Sequence, residues 1–373
     1  MAVSADKNPA LNASAVSPQV AIVGAGVSGL TCGVLLAERG FRAAIFAEQI
    51  GQQTTSGAAA ALWFPYDAEP ADKVIPWALA TYKVLVDLTK DARSGVSMIE
   101  LRQYCRTGEI QIPDWANSLG SSVISNASIV MSSGNVTLHP FNSGAAATLR
   151  ACPEREQRVE RETSLNISGS AFKSGFSLTV PLMDTTIYLA YLVNRFQKAG
   201  GAINERVRFE RLEDVDSKFD LVINCAGIGA RELAHDADLE PHRGQVAILP
   251  KIDNLNSAIV CDDAPLMYAI PRTNDCVFGG TNEVSNDLDT DTATTSTIVA
   301  ECSRVLNIDK PRVLTERVGL RPFRKSGVRL EREQLRDGRT VIHNYGHGGS
   351  GFTLSWGCAH EVLAFASFAQ SRP

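Results

Sequence analysis

The chain has 373 residues, 44% hydrophobic and 21% charged, with a formal net charge of -5 and a mean hydropathy of -0.04. That length exceeds what one hydrophobic core usually organises, so two domains are expected. The slight acidity excludes the basic excess a nucleic-acid surface needs, and no apolar run reaches the roughly 18–20 residues that cross a bilayer.

Met1 to Pro18 is rich in Ala, Ser and Asn and lacks the charged start and apolar stretch of a secretory signal, so a disordered arm and a cytoplasmic protein are expected. The ending Ser371-Arg372-Pro373 does not match a peroxisomal address. Eight cysteines are scattered without a CxxC or a zinc-ligand spacing, so no metal site is expected.

Gln19 to Val23 is a short apolar run with β-branched residues, hence a buried strand. A helix is predicted over Val27 to Arg39, ended by Gly40, then a second strand over Phe41 to Ala47. The stretch 51–62, which includes Thr54, Thr55 and Ala60, is made of small residues that let backbone approach a ligand. An amphipathic helix is predicted over 77–92, and antiparallel strands between about 100 and 170. A helix over Thr186 to Ala199 precedes a buried strand over Asp220 to Asn224. Gln245 to Leu249, Val277-Phe278 and Val341-Ile342 read as further strands, and Thr353 to Ala369 as the last helix.

Gly24-Ala25-Gly26-Val27-Ser28-Gly29 is a G-x-G-x-x-G that follows a strand and opens a helix, the context that gives this motif meaning. Gly24 permits the tight turn, Gly26 a close approach of backbone to pyrophosphate, and Gly29 close packing of helix on strand. The helix N-terminus presents free N–H groups to phosphate. Glu48, 19 residues after Gly29, is placed to accept hydrogen bonds from ribose hydroxyls and would repel the 2′-phosphate of NADP. Two more glycine turns, Asn224 to Gly229 and Gly346 to Gly351, favour a large resident cofactor, FAD, over NAD, which is left as an alternative. Nucleotide-type signals thus fall at the start, middle and end of the chain.

These residues resemble the D-amino acid oxidase family. The matching segments are VAIVGAGVSGL at 20–30, IFAEQ at 45–49, TTSGAAAALWFPY at 54–66, INCAGIGA at 223–230 and RGQ at 243–245. YAIP at 268–271, GGTNE at 279–283, GLRPFRKSGVRLEREQLR at 319–336 and VIHNYGHGGSGFTLSWGCA at 341–359 complete the set, in family order. The resemblance implies an α/β protein: a doubly wound FAD-binding domain, here 19–68, 183–237 and 327–373, and a substrate domain with a large, mainly antiparallel sheet, here 69–182 and 238–326. It implies non-covalent FAD.

By the same resemblance Arg321 pairs with the substrate carboxylate, Tyr268 adds a hydroxyl contact, and the Gly349 carbonyl accepts from the substrate amine. The implied cofactor contacts are Gly24, Gly26, Val27, Ser28, Gly29 and Glu48. Thr54, Thr55, Ala60, Val207, Gly349, Gly351, Phe352 and Thr353 complete them. Ala264 and Ser350 stand where mammalian relatives carry tyrosines, a departure that bears on pocket size. Asn282 and Tyr66 stand where D-aspartate oxidases carry arginine and histidine, which favours neutral substrates over acidic ones.

A planar guanidinium holds a carboxylate through two parallel hydrogen bonds, which suits Arg321 to its implied task. No residue stands out as an obligatory base, which fits hydride transfer from a neutral amine to flavin N5, with oxygen as acceptor and a 2-oxo acid, ammonia and hydrogen peroxide as products. The expected partners are a D-amino acid and oxygen, with no nucleic acid or membrane; a homodimer is left open. His347 is expected to hydrogen-bond loop backbone, and Arg324 and Arg329 to be surface or domain-interface charges. The alternatives are a D-aspartate oxidase, a glycine- or sarcosine-type amine oxidase, an NAD-dependent dehydrogenase and a non-catalytic flavoprotein.

Overall fold

The computed structural model describes residues 18–66, 68–124 and 171–370. The expected N-terminal arm and the strands expected between 125 and 170 lie outside the described residues. β1 (Gln19–Ala25), α1 (Val27–Glu38) and β2 (Arg42–Ile50) open the fold as the sequence predicts, with β1 and β2 parallel. Ten of the twelve residues of α1 are buried, as an almost wholly apolar helix requires.

The four-residue α2 (Thr55–Ala58) is capped by Thr54, whose hydroxyl accepts from the Gly57 N–H. α3 (Ala71–Leu88) starts six residues before the predicted position and ends four before it. Pro76 lies inside it, where a proline ordinarily marks a boundary. The stripe Val74, Trp77, Ala78, Thr81, Leu85 and Leu88 is buried at helical spacing, and that packing outweighs the lost hydrogen bond.

β3 (Val96–Cys105), α4 (Asp114–Ser118), β4 (Ser122–Ile124) and β5 (Ser174–Met183) follow, then α5 (Thr185–Lys198), capped by the Asp184 carboxylate. β6 (Ala202–Glu205), β7 (Leu221–Asn224), α6 (Ala230–Leu233) and the twelve-residue β8 (Leu239–Pro250) continue the chain. β9 (Ser257–Cys261), β10 (Met267–Pro271), β11 (Asp275–Gly279) and β12 (Glu283–Val284) lead to α7 (Thr292–Leu306). β13 (Thr315–Arg324), β14 (Arg329–Gln334), β15 (Thr340–Tyr345) and α8 (Gly351–Gln370) complete it.

Two sheets result. One has six strands in the order β14-β15-β7-β1-β2-β6, parallel except for the β14–β15 pair. Its central strands are mostly apolar and largely buried, as suits strands covered on both faces. α1, packed on α5 and α8, covers one face. The other face carries Ala21, Val23 and Val222 against Leu212, Val215 and Phe219, so among the described residues much of that cover is irregular chain rather than helix.

The second sheet has nine strands, β12-β8-β11-β10-β9-β3-β5-β4, with β13 paired along β8. Among the described residues only its β3–β9 pair is parallel. Strand alternation divides its two faces. Ala247, Leu249, Met267, Ala269 and Phe278 pack against Ile298, Val299 and Cys302 of α7. Val246, Tyr268 and Ile270 point the other way, into a cavity between the sheets. Asp291 caps α7 by accepting from the Ala293 and Thr294 N–H groups, a cap worth about 1 kcal/mol.

Candidate active site

The cavity between the sheets encloses about 950 Å3. At one end β1 turns into α1. Gly24 has φ +107, and a Cβ there would run into the Cys225 carbonyl. A Cβ on Gly29 would collide with the Gly24 carbonyl, so Gly29 packs behind the turn and does not itself line the cavity. Gly26, Val27 and Ser28 do line it. The first turn of α1 carries no acidic side chain and Gly26 offers no side-chain cap, so the helix end is electropositive where it meets the cavity. Ser56 reaches this end from α2, its Oγ accepting from the Val27 N–H at 3.0 Å.

Glu48 lies two residues before the end of β2, at the cavity wall, with its side chain 61% exposed. The Arg208 guanidinium lies 3.6 Å from it and 3.4 Å from Glu232. Sequence reasoning missed Arg208; its contact with Glu48 comes from β6 running beside β2, which places Val207 N–H on the Ala47 carbonyl at 3.1 Å. Thr54, Thr55 and Ala60 line the middle of the cavity. The Thr54 hydroxyl is engaged locally with Gly51, and that of Thr55 donates to the Leu320 carbonyl at 3.4 Å, joining α2 to β13.

At the far end stand Arg321 and Tyr268. Arg321 is on β13 and Tyr268 on β10, with β8 and β11 between them. Each intervening strand carries a glycine where the side chains need room. A Cβ on Gly244 of β8 would overlap the Arg321 guanidinium, and one on Gly279 of β11 would overlap the Tyr268 ring. The two side chains therefore lie over a floor cleared of side chains. Arg321 Nη1 donates to the Thr281 carbonyl at 2.8 Å and to Asn282 Oδ1 at 3.4 Å, which aims the remaining donors into the cavity. Burial pushes the Tyr268 phenol above its ordinary value and the nearby Arg321 charge draws it back; the hydroxyl stays protonated and able to donate.

The neighbours of Gly244 do different work. Arg243 donates to the Asp287 and Asp289 carbonyls, holding the segment after β12, and Gln245 Nε2 donates to the Asp291 carbonyl and Thr295 Oγ1 at the start of α7. Sequence reading cited this R-G-Q run only for its resemblance and gave its residues no task.

The third glycine turn closes the site. Gly349, Gly351 and Phe352 line the cavity; Thr353 does not, because its hydroxyl exchanges hydrogen bonds with the backbone of Phe64. Gly349 lies against Tyr66, so that a Cβ would come 2.6 Å from the ring. Ser350, read from the sequence as bearing on pocket size, is fully buried and does not line the cavity. Its hydroxyl accepts from the Tyr66 N–H at 2.7 Å and donates to the Tyr66 carbonyl, so it fixes Tyr66 from behind.

His347 pairs with a side chain, where backbone was expected: Nε2 lies 3.0 Å from Asn344 Oδ1, an acceptor, so Nε2 carries the proton. Burial lowers its pKa to about 4. Arg324 and Arg329 are largely buried in ion pairs, with side chains 17% and 16% exposed. Arg324 pairs with Asp236 at 2.7 Å, and Arg329 donates to Tyr345 Oη at 2.8 Å while pairing with Glu331 and Glu333. Tyr345 in turn donates to Asp236, which joins β13 to β15 behind the third turn.

The cavity thus runs from a helix N-terminus and a ribose-competent acid to a guanidinium and a phenol, with glycines wherever backbone must come close. That is the plan of a dinucleotide-dependent enzyme acting on a small carboxylate. Among the described residues no group of side chains could hold a metal ion. No helix of the described residues is long and apolar enough to cross a membrane.

Residues 19–364 match the family model "FAD dependent oxidoreductase", and the chain belongs to that family, whose cofactor is FAD. The chain is 36% identical to a D-amino-acid oxidase of Rubrobacter xylanophilus over 95% of this chain and 98% of that protein. It is 29% identical to a human D-aspartate oxidase, over 94% of each chain. Its fold superposes on glycine oxidase from Geobacillus kaustophilus with a TM-score of 0.74 at 15% identity, covering 94% of this chain and 95% of that one.

Proposed function

We propose that this protein is a D-amino-acid oxidase that takes neutral substrates in preference to acidic ones. FAD is held along the cavity by Gly24, Gly26, Val27 and Ser28 at the pyrophosphate and by Glu48 at the ribose. Thr54, Thr55, Ala60 and Val207 flank it, and Gly349, Gly351 and Phe352 border its ring. Residues 19–68, 183–237 and 327–373 form the cofactor-holding part, and 69–182 with 238–326 the substrate-holding part. The observation that carries the reading is the convergence of Arg321 and Tyr268 over Gly244 and Gly279.

When bound, FAD would supply the hydride acceptor for the substrate Cα and the route for the electrons to oxygen. The chain supplies position. Arg321 forks the substrate carboxylate and the Tyr268 hydroxyl donates to the same group. The Gly349 carbonyl accepts from the amine, which leaves the Cα–H facing the cofactor. Burial lowers the His347 pKa to about 4 and its Nε2–H is given to Asn344, so His347 is a weak proton acceptor, which supports an amine that arrives already neutral. The preference for the D-enantiomer is supported by the names of the relatives at 32–36% identity.

The test is anaerobic reduction. Yellow holoenzyme mixed with D-alanine should lose its flavin absorbance and keep it with L-alanine, and should release peroxide when air is admitted. Flavin that no D-amino acid bleaches would overturn the proposal.

A further inference from the structure

We propose that Asp262 sets the side-chain preference of this oxidase, favouring D-amino acids whose aliphatic stem ends in an ammonium or guanidinium group. The inference rests on the reading above, because it takes the substrate carboxylate to lie on Arg321.

Val260 of β9 and Tyr268 of β10 are register partners. Asp262 lies two residues beyond Val260, just past the end of β9, and Leu266 two residues before Tyr268. Alternation gives all four one face, and all four line the cavity. Two residues advance the chain by about 7 Å, so Asp262 stands that far from the level of Tyr268 along the strand. A stem of three or four methylenes spans a comparable length, with Val260 and Leu266 as its apolar wall.

The carboxylate is held in place. Gln103 of β3, itself buried and the register partner of Val260, donates through Nε2 to Asp262 Oδ2 at 2.8 Å. The turn beyond is pinned to the end of β3: the Arg106 N–H donates to Asp263 Oδ2 at 2.6 Å, and Arg106 Nη2 to the Pro265 carbonyl at 2.9 Å. Among the described residues Asp262 Oδ1 accepts no hydrogen bond, and no cationic side chain acts on the carboxyl. Asp262 is solvent-exposed where the cavity opens, and the protein around its carboxyl and the Asp263 charge raise its pKa against the pull of Gln103. A carboxylate fixed from behind, with one oxygen free and no cation beside it, is placed there to pair with a positive charge on an incoming side chain. The same group repels an acidic substrate side chain, and Arg321 is already committed to the α-carboxylate.

The experiment compares kcat/KM of the holoenzyme for D-lysine and for D-norleucine, the same stem without the ammonium group. Wild type should favour D-lysine, and Asp262→Asn should lower the D-lysine to D-norleucine ratio at least tenfold. A ratio unchanged within twofold by the substitution overturns the proposal. Should the variant fail to fold, wild type decides alone: equal or poorer use of D-lysine overturns the role of Asp262. Turnover of D-norleucine without a D-lysine preference leaves the oxidase reading standing; turnover of no D-amino acid removes that reading instead.

Discussion

The Arg321 guanidinium lies in the space that a side chain on Gly244 would occupy. Arg321 sits on β13 and Gly244 on the paired strand β8, so the geometry of the proposed carboxylate site is written into two strands at once. Gly244→Ala should displace the guanidinium while leaving the cofactor end of the cavity intact. A misplacement of about 1 Å costs on the order of a hundredfold in catalysis. The expected outcome is a fall in kcat/KM of roughly that size with normal flavin content, measured by steady-state kinetics and absorbance.

Arg321→Lys keeps the charge and loses the fork. A lysine cannot make two parallel hydrogen bonds to a carboxylate. Truncating a buried hydrogen-bonded charge partner costs about 2–5 kcal/mol, and the lysine variant should fall toward the lower part of that range, chiefly as a raised KM. An unchanged KM would remove Arg321 from the substrate carboxylate.

Glu48→Lys tests the other end of the cavity. Hydrogen bonds to a charged group contribute about 1.5–3 kcal/mol, so if Glu48 accepts from the ribose as proposed, its loss should weaken FAD binding roughly ten- to a hundredfold. The new lysine would also face Arg208, which now lies 3.6 Å from the glutamate. FAD retained through gel filtration as in wild type would count against ribose binding at Glu48.

His347 gives a prediction in pH. Its folded pKa, about 4, is below the ordinary 6.5 because burial disfavours the charged form. The unfolded chain therefore binds a proton first. The stability tied to neutral His347 is complete above pH 6.5 and is lost as pH falls from there toward about 4, on the order of 3 kcal/mol in all. His343, lowered to about 4 chiefly by burial, acts in the same direction. Denaturant midpoints should fall over this window in wild type, and His347→Gln should flatten part of the slope. Identical slopes would show that His347 is not protonated on unfolding.

Much of the fold was legible because its signals are local. The apolar run at Val20 to Val23, the glycines at 24, 26 and 29 and the small residues after Gly51 each carry their meaning within a dozen positions. What escaped was set by distant partners. β13 does not read as a strand because Pro322 interrupts it, yet Pro322 faces Pro241 in β8, so neither needs a donor from the other. α3 begins six residues before its predicted start because the buried stripe begins at Val74, ahead of the Pro76 inside the helix. The roles of Gly244 and Gly279 depend on which side chain a neighbouring strand lays across them, and no local pattern encodes that.

Strand neighbours in the six-stranded sheet have a consequence for biosynthesis. Ile22 pairs beside Ile223, and Ile223 beside Ile342, so three positions separated by more than a hundred residues each must meet at the centre. Such high contact order makes folding slow. On the ribosome the nascent chain can dock β1, α1 and β2 early, but the cavity lacks the wall that Asn344 and Gly349 supply until β15 and the turn after it have left the exit tunnel. Flavin capture is therefore one of the last events in maturation, and a polypeptide truncated before β15 should stay colourless.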